Sequence, residues 1–213
     1  MFPTGPLTNK SISLASRHLA KADPHLAELL KKHGPPPMWG RRPGFATLIR
    51  IILEQQVSLS SAASMYRRLT NNIAPFTPES FVEQGEDYLR SLGVTRQKAA
   101  YCALLARSIV NRDFDLARLS KMGDLEARSE LMRLKGVGTW SADIYLLMAL
   151  RRPDIWPSGD VALITAATQI KQLTTRPNSE ELLQLAERWR PFRAVAARML
   201  WQHYLNQRLR RTL

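Results

Sequence analysis

The chain has one cysteine, Cys102, in 213 residues. A single thiol excludes an internal disulfide and any iron–sulfur cluster held by four local thiolates. Histidine is scarce too: His18, His25, His33 and His203 form no pair spaced i, i+3 or i+4, so a zinc site has no support. No run approaches the roughly 20 apolar residues of a membrane span, and Met1-Phe2-Pro3-Thr4-Gly5-Pro6 offers no signal-peptide core. A soluble intracellular protein with no membrane partner is expected. Acidic residues are few, 18 against 31 Lys and Arg, for a net charge of +13 and a pI near 10.6. That balance suits a polyanion, nucleic acid first, because each cation that neutralises a phosphate releases counterions. Basic solubility or an anionic membrane surface would use the same charge. Strand-like alternation bounded by hairpin signals is also missing.

What remains is helical. With 45% hydrophobic residues the chain can bury one core, or two lobes sharing a cleft. Apolar spacing predicts helices over 10–20, 24–32, 44–56, 59–72, 78–83, 86–91, 95–111, 124–133, 139–150, 160–171, 179–188 and 191–207, an all-α protein. Thr77-Pro78 and Asn178-Ser179-Glu180 read as helix starts, and Gly93 as a helix end. The helix around Phe45, Leu48, Ile49, Ile51, Ile52 and Leu53 is apolar nearly all round and runs into Glu54-Gln55-Gln56. Two amides and a carboxylate there either line a cleft or end a helix in solvent.

The most telling stretch is Leu134-Lys135-Gly136-Val137-Gly138-Thr139-Trp140-Ser141-Ala142. A Gly-x-Gly turn opening a helix leaves main-chain N–H groups uncovered at the positive end of a helix dipole, a place for a phosphate oxygen, with Lys135 as a mobile charge beside it. The same turn also serves as a plain αα connection. Asp160 follows Trp156-Pro157-Ser158-Gly159 at the head of an apolar helix. It reads as an N-cap, and a carboxylate there can also face positive charge developing on a sugar. Arg208, Arg210 and Arg211 read as a solvated helix end.

These residues, with Ile52 to Ser58, Leu92 to Ala99, Pro157 to Asp160 and Trp189 to Arg198, occur in the order of a known family. The chain resembles the helix-hairpin-helix (HhH-GPD) DNA glycosylases, and within them the 3-methyladenine DNA glycosylase II branch, over about residues 40–205. The resemblance implies a two-lobed helical fold with a cleft between lobes of about 1–50 plus 151–213 and 51–150, the helix-hairpin-helix lying at 124–150. It implies a base-excision-repair hydrolase that flips an alkylated purine such as 3-methyladenine from duplex DNA and cleaves its N-glycosidic bond.

Asp160 falls at the family's catalytic aspartate, which stabilises the oxocarbenium-like sugar. Trp140 stands where strand-nicking members carry a Schiff-base lysine, implying a monofunctional enzyme without lyase chemistry. The resemblance puts Trp140, Phe192, Phe45 and Glu54 at the base pocket, Trp140 and Phe192 each with a core reading beside it and Glu54 also readable as a buried partner of an arginine. It puts Lys135, Gly136, Val137, Gly138, Thr139, Ser141, Gln55, Gln56 and Arg193 on DNA, with at least one of the two glutamines at the DNA face, where the family fills the gap left by the flipped nucleotide. It allows a Na⁺ or K⁺ on the main-chain carbonyls of Met132, Leu134 and Val137, and no other cofactor. Ile144 and Val161 are aliphatic where some relatives have tyrosine, and the β-rich N-terminal domain of larger relatives is not expected. A monomer on double-stranded DNA is expected, cytoplasmic and nucleoid-associated in a bacterium. Two alternatives stay open: a glycosylase for deaminated or oxidised bases, and a damage-binding protein without catalysis.

Overall fold

The computed structural model describes residues 5–211, with only the backbone of Arg210 and Arg211. The Met1–Thr4 segment and those two side chains, on which expectations were placed, lie outside the described residues. The elements are α1 (Asn9–Ala22), α2 (Pro24–His33), α3 (Phe45–Glu54), α4 (Leu59–Asn72), α5 (Pro78–Ser91), α6 (Arg96–Val110), a 3₁₀ turn (Arg118–Lys121), α7 (Asp124–Met132), α8 (Thr139–Met148), α9 (Val161–Ile170), α10 (Ser179–Glu187) and α11 (Arg193–Arg211). No strand occurs among the described residues, so the fold is all-α as expected. None of the described helices is long and apolar enough to cross a membrane.

The chain forms two compact units, one of Met1–Gly40 with Leu146–Leu213 and one of Arg41–Tyr145. The divisions lie before α3 and inside α8, and α3 falls in the second unit, where it packs on α4 and α6.

In the first unit α11 packs on α1, α2 and α9. Leu19, Leu26, Leu163, Val195 and Leu200 are sealed in its core. Asp23 is 1% exposed and caps α2 by accepting from His25 N. It also accepts from Lys171 Nζ and Trp189 Nε1, each at 3.0 Å. Burial pushes its carboxyl up, but the bonds from Trp189 and Lys171 outweigh that and hold it below its ordinary value. Asp23→Asn would remove the charge those donors are arranged around, and hydrogen bonds to charged groups contribute about 1.5–3 kcal/mol each.

In the second unit α3 runs through the middle, with Leu48, Ile49, Ile51, Ile52 and Leu53 fully buried. Residues 78–83 and 86–91 are joined into α5, which carries a break at Gly85 (φ 70) where the sequence predicts the gap. Several helix ends differ from expectation, the C-terminal ends of α1, α8 and α11 among them, and two further differences bear on residues singled out in the sequence. α3 stops at Glu54, because Gln55 is extended (φ −61, ψ 127) and Gln56 turns left-handed (φ 55). α11 starts at Arg193, two residues later than predicted. The 3₁₀ turn is too short to show periodicity in sequence.

Candidate functional site

The helix-hairpin-helix is built within the second unit. α7 ends at Met132, and the chain curls through bonds from Leu134 N to Leu131 O (3.1 Å) and Val137 N to Leu134 O (3.0 Å). α8 then opens with Ala142 N donating to Gly138 O. Leu134 and Val137 point inward, 6% and 5% exposed, whereas Lys135, Gly138 and Thr139 face solvent. The two glycines differ in cause. Gly136 has φ +87, and a Cβ there would lie 2.3 Å from Cγ and Cδ2 of Tyr101. A Cβ on Gly138 would meet nothing within 4 Å, so no packing inside the protein requires that glycine. Arg128 Nε donates to the fully buried Asp143 at 2.6 Å and ties α7 to α8.

Below the turn, Gln55 Nε2 donates to Gly136 O and Ser141 Oγ, both at 2.8 Å. Lys98 Nζ donates to Leu53 O and Gln55 O, each at 2.8 Å, closing the end of α3. Burial pulls the Lys98 ammonium below its ordinary pKa. Gln55 is thereby turned inward and Gln56 outward, exposed at φ 55. Of the two amides expected at DNA, only Gln56 is presented. Ser141, expected at a phosphate, is 3% exposed and occupied by Gln55.

Glu54 takes the arginine-paired arrangement. Arg41 grips both carboxylate oxygens at 2.8 and 2.9 Å, Arg50 adds a bond at 3.1 Å, and the Glu54 side chain is 8% exposed. Arg50 also lies 5.6 Å from the Tyr66 ring centre. A carboxylate at a helix C-terminus opposes the dipole, and two guanidinia compensate. Phe45 packs edge-on to Phe81 at 5.0 Å and is 7% exposed, so it is a core ring with little surface for a base. Trp140, at the second residue of α8, is half-buried.

In the first unit Asp160 caps α9, as its place in the sequence predicts. Its Oδ1 accepts from Leu163 N at 3.0 Å and from Trp201 Nε1 at 3.1 Å. Trp201 comes from α11 and meets Trp39 edge-to-face at 6.4 Å. Neither tryptophan carries a motif, so periodicity gave no signal for them. Phe192 is 4% exposed and edge-on to His18 at 5.7 Å, which is its core reading.

Arg193 departs from its expected place on DNA. It is 9% exposed, and its guanidinium holds Asp154 Oδ1 (3.0 Å), Asp154 Oδ2 (3.1 Å), Asp154 O (2.9 Å) and Glu187 Oε1 (2.6 Å). Four of the five donors of the fork are used inside the protein, which holds the guanidinium on Asp154 and Glu187. Arg208 is exposed and lies over Tyr204 of its own helix. Among the described residues no group of three or more His, Cys, Asp or Glu could hold a metal ion.

The sequence matches the HhH-GPD superfamily of base excision DNA repair proteins over residues 49–191. It is 28% identical over 196 residues to the alkylbase DNA glycosidase-like protein mag2 of Schizosaccharomyces pombe, covering 88% of this chain and 92% of that one. It is 25% identical over 200 residues to the DNA-3-methyladenine glycosylase of Bacillus subtilis, covering 86% of this chain and 65% of that one. The structure superposes on the S. pombe 3-methyladenine DNA glycosylase Mag1, solved with abasic DNA, with a TM-score of 0.77 at 24% identity, over 89% of this chain and 95% of that one. With the match spanning α4 to α10 and including the hairpin and Asp160, this chain belongs to the HhH-GPD superfamily of base excision DNA repair proteins.

Proposed function

We propose that the protein is a monofunctional DNA glycosylase that removes N-alkylated purines, 3-methyladenine among them, from double-stranded DNA. The observation that carries the reading is Asp160, a carboxylate fixed at the start of α9 by two donors in a chain of this family. The names of the relatives supply the substrate class.

In this reading the glycosidic bond breaks with its electron pair going to the base nitrogen, so a cationic alkylated purine leaves neutral. The sugar is left as an oxocarbenium-like cation, and the Asp160 carboxylate stabilises it. Water then bonds to C1′ and loses a proton. An electron-poor base favours an aromatic wall, and Trp140 supplies an indole face for it. Trp140 has no amine to form a Schiff base, which supports hydrolysis without a nick. The outward Lys135, Gly138 and Thr139 meet phosphate, where they position DNA without reading sequence, and Gln56 enters the stack. The Leu134 carbonyl uses one lone pair on Val137 N and keeps another. A Na⁺ or K⁺ held there with the carbonyls of Met132 and Val137 would stiffen the turn and take no part in the chemistry.

The test is excision from methylated duplex DNA, with released bases identified and strands examined before and after alkali. Free 3-methyladenine with breaks only after alkali is expected, and Asp160→Asn should abolish release while DNA is still bound. Breaks without alkali would refute the monofunctional reading. Release of deaminated or oxidised bases instead would move the substrate class, and tight DNA binding with no release would make the protein a binder.

A further inference from the structure

We infer that Trp201 is a positioning residue for Asp160, holding the carboxylate in its working orientation through the indole N–H. The inference rests on the reading of Asp160 proposed above.

An N-cap aspartate is complete with one bond from its oxygen to a main-chain N–H of the first turn. Asp160 has that bond, from Leu163 N at 3.0 Å, and the same Oδ1 takes a second from Trp201 Nε1 at 3.1 Å. Capping alone does not require the indole. With donors approaching one oxygen from two elements, α9 and α11, the plane of the carboxylate is set.

The donor is itself fixed. Trp201 is 8% exposed, so its N–H has little access to water and Asp160 is its partner. Its ring meets Trp39 at an interplanar angle of 69°. Trp39 sits at φ +45, a backbone conformation that a bulky residue keeps only where its surroundings impose it. One source of that constraint is Arg198, one turn before Trp201 on α11 and fully buried. Its guanidinium donates to Met38 O (2.9 Å), Ala194 O (2.9 Å) and Leu147 O (2.8 Å), tethering the residue before Trp39 to the helix that carries Trp201. Arg198 thus holds Met38, Trp39 packs on Trp201, and Trp201 holds Asp160. A site that depends on one fixed anion gains from such a clamp, because a rotated carboxylate would present its charge away from the sugar.

Two variants remove the N–H and keep a ring: Trp201→Phe, and replacement of Trp201 by β-(3-benzothienyl)alanine, which preserves the bicyclic shape. Excision of methylated bases is measured under single turnover with protein in excess, beside DNA affinity, thermal midpoint and Asp160→Asn. A hydrogen bond to a charged group corresponds to a rate loss of about 10-fold to about 100-fold. That loss is expected in the single-turnover rate of both variants with half-saturation near native, while the midpoint falls by no more than the lost bond accounts for in the benzothienyl variant and further in Trp201→Phe, which also leaves a cavity. A merely structural tryptophan would lower midpoint and rate together in the phenylalanine variant and leave the shape-preserving variant native. A native rate in the benzothienyl variant beside an inactive Asp160→Asn overturns this inference alone. If Asp160→Asn keeps full excision, the reading of Asp160 fails first and this inference falls with it.

Discussion

The two glycines of the hairpin should respond to the same substitution in opposite ways. At Gly136 alanine meets two obstacles. The backbone is left-handed at φ +87, which costs a residue with a Cβ about 1–2 kcal/mol. The new methyl would also lie 2.3 Å from two ring atoms of Tyr101 and 2.9 Å from its Cβ, so the Tyr101 side chain must shift. Overpacking of that kind costs about 1–3 kcal/mol. Gly136→Ala should therefore lose about 2–5 kcal/mol of unfolding free energy in urea, with DNA binding weakened as the turn distorts. Gly138→Ala has no internal clash and should unfold at the native midpoint. Its methyl projects from the exposed side of the turn, where a phosphate would approach the N–H groups, so DNA affinity should fall about tenfold, near 1.4 kcal/mol. Equilibrium unfolding and fluorescence anisotropy on a labelled duplex measure both variants. A Gly136→Ala protein as stable as native refutes the packing argument. A Gly138→Ala protein that binds with native affinity removes this turn from the DNA contact.

Three further outcomes follow from the contacts. Arg193→Ala leaves Asp154 paired with Arg190, at 2.6 Å, and should cost about 1–3 kcal/mol of stability with DNA affinity within about twofold of native; a selective loss of affinity would restore the arginine to the interface. Gln55→Ala removes two hydrogen bonds and should lower stability by about 1–3 kcal/mol, whereas Gln56→Ala should leave the melting curve native and slow excision; equal melting losses would contradict the inward and outward assignment. His203 is 6% exposed, with its Nδ1 3.3 Å from His33 Nε2, and burial, His33 and Lys32 lower its pKa below the ordinary 6.5. Since the folded value is the lower one, its stabilisation is complete above about pH 6.5 and is lost as pH falls through the folded value. The melting midpoint should drop between pH 7.5 and 5.5, less steeply in His203→Gln, and parallel curves would exclude His203 as the cause.

Much of the helical scaffold was legible because its signals are local. Thr8, Asp23, Ser58, Thr77, Thr95, Asp160 and Asn178 each cap a helix by accepting from an N–H two or three residues on. A rule that spans three residues can be read from the chain. The partners of charged and amide side chains cannot. Arg193 finds Asp154 across 39 residues, Trp201 finds Asp160 across 41, and Gln55 finds Gly136 across 81. An arginine next to a family motif has the same sequence whether it meets a carboxylate of its own chain or a phosphate. Glu54 kept both readings open for that reason, and Arg41, thirteen residues before it, decided the matter. Ser141 reads as part of the phosphate-binding turn, but α8 rotates it inward by geometry that depends on where Gln55 ends.

The formal charge of +13 overstates what a phosphate backbone meets, because several cations work inside the protein as donors. Arg198 bonds to main-chain oxygens at Met38, Ala194 and Leu147, and Lys98 to those at Leu53 and Gln55. Burial brings the Arg198 guanidinium down to about 10, still above neutral pH, so it stays charged. Desolvating a cation is costly, and a neutral side chain would avoid the cost. A glutamine offers only two N–H donors from one nitrogen and adds an oxygen that itself needs a partner, so it cannot join three segments at once; a guanidinium has five donors in a fixed fork and an ammonium has three. Met38 and Gln55 lie in irregular segments, and Leu53 and Leu147 in the last turns of α3 and α8, where helix ends leave carbonyls open; Ala194 belongs to the helix of Arg198 itself. Those segments carry Gln56 beside Gln55 and Trp39 beside Met38. The buried cations therefore act as multi-donor clamps on segments beside proposed site residues, while cations such as Lys135 keep their charge in solvent.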